Sequence, residues 1–218
     1  MSISILGDSH APHIFRQAAG AKGFVFCSPE LASLVIIAQD TPTVNGERYL
    51  DSIYKMTRHA LANYPGIILL TSQVTPGFTR AFNSERLYHQ SETLRIKDAL
   101  ERALRPEQFI IGCMYPEKVL PEAILNYVQP FNCPVWQMTY EEAEYSKIAI
   151  NMTLAAQVQN TNRLADIATK LGIRWSVIAN VLKHDRRIGP YSYLEPGDWR
   201  LSAHLLRDAM TLAELERG

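Results

Sequence analysis

Thr139-Tyr-Glu-Glu-Ala-Glu-Tyr-Ser-Lys147-Ile-Ala-Ile-Asn151-Met-Thr-Leu-Ala-Ala-Gln-Val-Gln-Asn-Thr-Asn-Arg-Leu-Ala-Asp-Ile-Ala-Thr-Lys-Leu171 runs without proline or glycine until Gly172 stops it. Thr139 and Glu142 have the spacing of a capping box, in which each side chain satisfies an orphan amide of the first turn. Glu141 and Glu142 also place negative charge at the positive end of the helix dipole. Tyr145, Ile148, Met152, Ala155, Ala156 and Val158 recur near helical spacing. The stretch therefore predicts one long helix over 139–171, about 50 Å long at 1.5 Å per residue. A small domain cannot cover that length. The apolar positions are expected to pack on a partner's helix as well, which predicts a homodimer through 139–171.

Upstream the pattern changes to short apolar runs separated by amphipathic stretches, the mark of a parallel α/β sheet. Candidate strands are 2–6, 23–27, 33–38, 66–71, 108–113 and 134–137. Several are unbroken Ile/Leu/Val runs, as expected of strands covered on both faces. Candidate helices cover 12–21, with Ser9 as cap and Pro12 in the first turn. Others cover 47–63, which ends at Tyr64-Pro65-Gly66, and part of 94–104, with one more after Pro116. Downstream of the long helix come a helix over 175–182, a loop over 183–197 and a terminal helix to about Leu215. The fold class is α/β. An abbreviated parallel sheet domain, 1–138, leads into the long helix and a small all-helical extension, 139–218.

Composition excludes several classes. Lys plus Arg is 22 and Asp plus Glu is 22, so the chain carries no basic footprint for nucleic acid. No apolar run approaches the roughly 18 residues that span a bilayer, and the first residues lack the basic and small-residue pattern of a signal peptide. A soluble cytoplasmic protein is expected. Cys27, Cys113 and Cys133 sit in apolar surroundings, which predicts buried reduced thiols. With the six histidines scattered, no metal site is expected.

Four segments carry a resemblance. They are Ala32-Ser-Leu-Val-Ile-Ile-Ala-Gln-Asp-Thr41-Pro42-Thr43 and Thr71-Ser-Gln-Val-Thr-Pro-Gly77-Phe-Thr-Arg80, then Glu142-Ala-Glu-Tyr-Ser-Lys147 with Asn151, and Asp185-Arg-Arg-Ile188-Gly189-Pro190 continuing to Tyr193-Leu-Glu-Pro196-Gly197. In this order they are similar to the UDP-glucose/GDP-mannose dehydrogenase family, over about residues 30–212. The resemblance implies a Rossmann-like NAD-binding domain and a long helix carrying dimer contacts. It also implies two hydride transfers from a nucleotide-sugar alcohol to NAD, through a thioester on a cysteine. Lys147 and Asn151, at i and i+4, share a helix face. In the family that pair stabilises negative charge on the substrate oxygen, an electrostatic role; the plain alternative is a solvated lysine and a polar asparagine. Asp208 matches the family's acid, with Arg207 in place of its lysine. The cofactor side would fall on Gly7, Ser9, Thr41, Pro42 and Gln73.

The departures from the family matter as much. Ungapped alignment of Pro196-Gly197 through Asp208 places His204 at the family's cysteine, and Trp199, Leu201 and Ser202 replace glycines. Imidazole cannot form the thioester. Gln73 stands at a threonine position. In Ser91-Glu92-Thr-Leu-Arg95-Ile96-Lys97, Glu92 and Arg95 persist but Ile96 replaces a glutamate. The dinucleotide fingerprint is reduced to Gly7-Asp-Ser9-His-Ala-Pro12, which keeps its first glycine alone. Asp8 opposes a diphosphate there, and Glu30 is the nearest acid for the ribose. One βα unit is expected to be missing, and the family's C-terminal UDP-sugar domain is expected to be absent.

The leading expectation is a truncated, catalytically degenerate member that acts as a dimeric binding or regulatory protein. An alternative is an active NAD(P)-dependent oxidoreductase on a sugar or nucleotide-sugar alcohol, using Lys147, Asn151, Glu92 and Asp208 for one hydride transfer. His204 would then serve as acid or base. A third arrangement has a separate chain supplying the sugar-nucleotide domain.

Overall fold

The computed structural model describes residues 1–94 and 96–217. It divides into two compact units, Met1–Val44 with Arg48–Lys147, and Asn45–Glu47 with the residues from Ile148 onward.

The first unit is built on a seven-stranded sheet. Its strands are β1 (Ser2–Leu6), β2 (Val25–Phe26), β3 (Leu34–Ile37), β6 (Ile67–Leu70), β7 (Leu87–Gln90), β8 (Phe109–Cys113) and β9 (Val135–Thr139), in the order β2-β1-β3-β6-β7-β8-β9. Between β3 and β6 lie the two short strands of a hairpin, β4 (Thr43–Val44) and β5 (Glu47–Arg48). All sheet neighbours run parallel except β7 and β8, which pair antiparallel. The expected sheet is thus mostly parallel. The 91–108 link leaves and re-enters at the same end of the sheet, which an antiparallel pair allows.

Alternation along β3 sorts the core. Leu34, Ile36 and Ala38 pack with Phe15, Ala19, Ile124 and Phe131 on one face, beside α1 (His10–Ala21) and α4 (Glu122–Val128). Val35 and Ile37 pack with Ile53 and Ala60 of α2 (Asp51–Asn63) on the other. Both faces are covered, which is why β3 reads as an unbroken apolar run. Another helix, α3 (Ala99–Leu104), packs along α1.

Strand β9 runs directly into α5 (Tyr140–Lys170), and the expected capping box forms. The Thr139 amide donates to Glu142 Oε2 at 2.8 Å, and the Glu142 amide donates to Thr139 Oγ1 at 3.3 Å. Gly112 on β8 lets the first turns of α5 lie close. A Cβ there would sit 2.8 Å from Ala143 Cβ and 3.1 Å from Tyr140 Cα.

Three expectations need correction. Residues 47–50 do not begin a helix, because Asn45 and Gly46 both take positive φ, at 51° and 87°, and turn the β4–β5 hairpin. Asn-Gly is the preferred pair for that turn, so the signal was in the chain. Strand β7 escapes a search for apolar runs because its second half, His89-Gln90, is polar yet buried. Ser9 stands at the N-cap of α1, but its hydroxyl does not cap the helix. The helix expected within 94–104 is found at Ala99–Leu104, and Arg95 lies outside the described residues.

The second unit is helical: the rest of α5, then α6 (Trp175–His184), a short 3-10 turn at Trp199–Leu201 and α7 (Ala203–Leu215). Ser202 caps α7 by accepting from the Leu205 amide. The hairpin tip belongs with this unit, and a Cβ at Gly46 would collide with Met210 Sδ.

Candidate functional site

In open α/β sheets, ligands bind outside the carboxyl ends of the strands where the strand order reverses. Here that point lies between β1 and β3, since β2 and β3 flank β1 on opposite sides. The loop after β1 is Gly7-Asp8-Ser9, and the loop after β3 is Gln39-Asp40-Thr41. Gly7 takes φ 129°, a conformation L side chains rarely adopt. A Cβ on it would meet Pro12 Cγ at 2.7 Å and the Gln39 nitrogen at 3.2 Å.

The two loops are tied together. The Asp8 amide donates to Gln39 Oε1 at 3.1 Å, and the His10 amide donates to Asp40 Oδ2 at 3.1 Å. In return, the Asp40 amide donates to Ser9 Oγ at 2.9 Å. A dinucleotide diphosphate would need these same helix-start amides. The arrangement is therefore at odds with the cofactor that the family resemblance implies. Thr41 Oγ1 donates to the Gln73 carbonyl at 2.6 Å, while Pro42 beside it is exposed. Gln73 Oε1 is buried without a partner among the described residues. Glu30 is exposed on a 3-10 turn after β2.

The loop after β6 is held from below by α5. Glu144, 2% exposed, accepts from the Gly77 amide at 2.6 Å and the Thr79 amide at 2.9 Å. Burial pushes its carboxyl above the ordinary range, and the hydrogen bonds from Thr79 and Gly77 oppose that. One turn earlier, Arg80 makes a two-pronged bond to Glu141, with both N–O distances 2.9 Å. That bond raises the guanidinium pKa and lowers the carboxyl pKa. Arg80 also lies 5.0 Å over the Tyr140 ring. Glu144 and the Arg80–Glu141 pair carry no motif-independent signal, because spacing does not reveal that α5 reaches back to this loop. Glu92, half-buried after β7, accepts from the Leu94 amide.

On α5, Lys147 is half-buried and Asn151 lies one turn further on, fully buried. Within the helical unit, Asn151 Nδ2 donates to Asp208 Oδ2 at 2.6 Å. Asp208 is 0% exposed and also accepts from Arg207 Nε at 3.3 Å. Asn151 and Asp208, expected to share one site but 57 positions apart in the chain, are joined by the fold in one buried polar pair. His204 is exposed in the first turn of α7.

All three cysteines are free, and all lie in the sheet unit. Cys113 is buried, whereas Cys27 and Cys133 are half-buried. Burial raises the thiol pKa of Cys113 and of Cys133, which disfavours the nucleophilic thiolate. Among the described residues no group of three or more His, Cys, Asp or Glu could hold a metal ion. None of their helices is long and apolar enough to cross a membrane.

Comparison with known proteins follows the same lines. Residues 141–208 match the UDP-glucose/GDP-mannose dehydrogenase family, central domain. The chain is 24% identical over 135 residues to UDP-glucose 6-dehydrogenase of Streptococcus pneumoniae, covering 57% of this chain and 34% of that protein. It is 24% identical over 172 residues to UDP-glucose 6-dehydrogenase YwqF of Bacillus subtilis, covering 72% of this chain and 39% of that protein. The matches thus span little more than a third of these relatives' own length. In fold it is similar to a UDP-glucose dehydrogenase from the hyperthermophilic archaeon Pyrobaculum islandicum. That superposition has a TM-score of 0.75 at 20% identity and covers 99% of this chain and 64% of the other. Through the central-domain match at 141–208, these relatives and the shared sheet-and-long-helix fold, the chain is related to the UDP-glucose/GDP-mannose dehydrogenase family.

Proposed function

We propose that this chain is a dehydrogenase-like protein that has lost the family's four-electron oxidation. It would act as a cytoplasmic homodimer with a binding or regulatory role in nucleotide-sugar metabolism. Residues 1–138 form its degenerate dinucleotide domain, and residues 139–218 form its dimerisation and central domain.

The observation that carries this reading is His204. By the family resemblance it stands at the position of the catalytic cysteine, and the sequence from Ile148 to Gly218 contains no cysteine. A thioester holds an aldehyde for the second hydride transfer, and imidazole cannot replace sulfur in that step. Cys113 and Cys133, with their raised thiol pKa values, are poor substitutes.

The test is turnover. Purified protein supplied with NAD and either UDP-glucose or GDP-mannose is expected to yield no NADH by absorbance and no sugar acid by chromatography. Sustained NADH production that scales with protein concentration would overturn the reading.

A further inference from the structure

The crevice between β1 and β3 is closed by the chain's own side chains. We propose that Gln39 and Asp40 occupy from within the anion position at the start of α1, so that no dinucleotide diphosphate binds there. The inference deepens the reading above but rests on a different unit of the protein and on different atoms. Loss of the thiol removes a reaction step; closure of this crevice removes the cofactor.

Three observations converge. First, the acceptors are filled in. The Asp8 and His10 amides, which would face an incoming phosphate, already donate to Gln39 Oε1 and Asp40 Oδ2. Asp40 supplies the negative charge that a helix start attracts, so the demand an external anion would meet is already satisfied.

Second, Pro12 packs against the turn, and the second and third glycines of the fingerprint are replaced. The Pro12 ring lies 2.7 Å from where a Gly7 Cβ would stand, and the Gln39 nitrogen and Oε1 lie at 3.2 and 3.3 Å. Phosphate approach through such a turn depends on glycines that leave the backbone bare. Here Ser9 and Pro12 stand at the second and third glycine positions.

Third, the closing segment is braced and cannot simply swing aside. The Asp40 amide is held by Ser9 Oγ at 2.9 Å. The Gln39 carbonyl accepts from Ser72 Oγ at 2.6 Å, and Thr41 Oγ1 donates to the Gln73 carbonyl at 2.6 Å. Displacing Asp40 by a diphosphate would break the His10 contact. It would also bring like charge against two carboxylates, Asp8 and Asp40, which the local field opposes.

The experiment is an amide NMR titration of the full chain with NAD and, separately, with inorganic pyrophosphate. In the unmodified protein, the Asp8, Ser9 and His10 amides are expected not to shift saturably at millimolar ligand. Asp40→Gly should open the position and strengthen pyrophosphate binding at those amides at least tenfold. Asp40→Asn keeps an acceptor for the His10 amide while removing the charge. It guards against misfolding of the glycine variant and should give a smaller gain in the same direction. Saturable shifts at Asp8 to His10 in the unmodified protein would overturn the inference, as would a folded Asp40→Gly or Asp40→Asn protein with no gain. NAD binding without NADH production would sink this inference alone and leave the loss of oxidation standing.

Discussion

Single side chains in this protein do work that their neighbours in sequence do not announce. Asp40 is one residue of a polar stretch in the chain and becomes the partner of the His10 amide only when β1 and β3 lie side by side. His89 shows the same dependence on context. It is 2% exposed on β7, and burial holds its imidazole pKa down at about 3 from an ordinary value of 6.5. The folded state therefore keeps His89 neutral, whereas the unfolded chain protonates it below pH ~6.5. Its contribution to stability is complete above pH ~6.5 and is lost as pH falls toward about 3. At pH 5 the loss is roughly 2 kcal/mol. Glu144 works in the opposite sense, since its raised pKa lets the native state hold a proton more tightly and favours folding as pH falls. Urea midpoints at pH 7 and pH 5 should therefore drop less in His89→Asn than in the unmodified protein. Equal drops would show that the buried imidazole is not the source.

At the scale of elements, the junction from β9 into α5 organises the sheet unit. The long helix was legible because its capping box, its freedom from proline and glycine and its stop at Gly172 are all local signals. What α5 grips was not legible. Glu141 reads as a first-turn acid suited to the dipole and Glu144 as one residue of a motif, yet the first binds Arg80 and the second binds the Gly77 and Thr79 amides. Gly112 permits that grip by letting β8 and α5 approach. Gly112→Ala should cost about 1–3 kcal/mol, as overpacking at a close contact does. Chemical denaturation measures it, and a neutral result would mean that the helix start does not lie so near the strand. The β4–β5 hairpin teaches the converse. Asn45-Gly46 is a strong local turn signal, and the strand that follows it takes Glu47 and Arg48 from the helix expected over 47–63.

At the scale of the whole molecule, the helical unit leaves a run of apolar side chains in water. Ile167 on α5 is 44% exposed, Leu171 is 67% and Val181 on α6 is 64%. Large apolar side chains left this exposed suit an association surface. The protein should scatter light as a dimer at micromolar concentration, and Ile167→Glu with Val181→Glu should make it monomeric. A monomeric unmodified protein would defeat the proposed dimer. By itself, the sequence determined the α/β class, most strands, the long helix with its cap and the resemblance over about residues 30–212, because propensity, periodicity and capping act within a few residues along the chain. Tertiary structure alone decided that β7 is a buried strand antiparallel to β8, that Asn151 meets Asp208, and that Gln39 and Asp40 close the crevice. Those contacts join residues from 30 to 57 positions apart, or depend on the direction in which a strand enters the sheet. Short-range preferences carry no information about either.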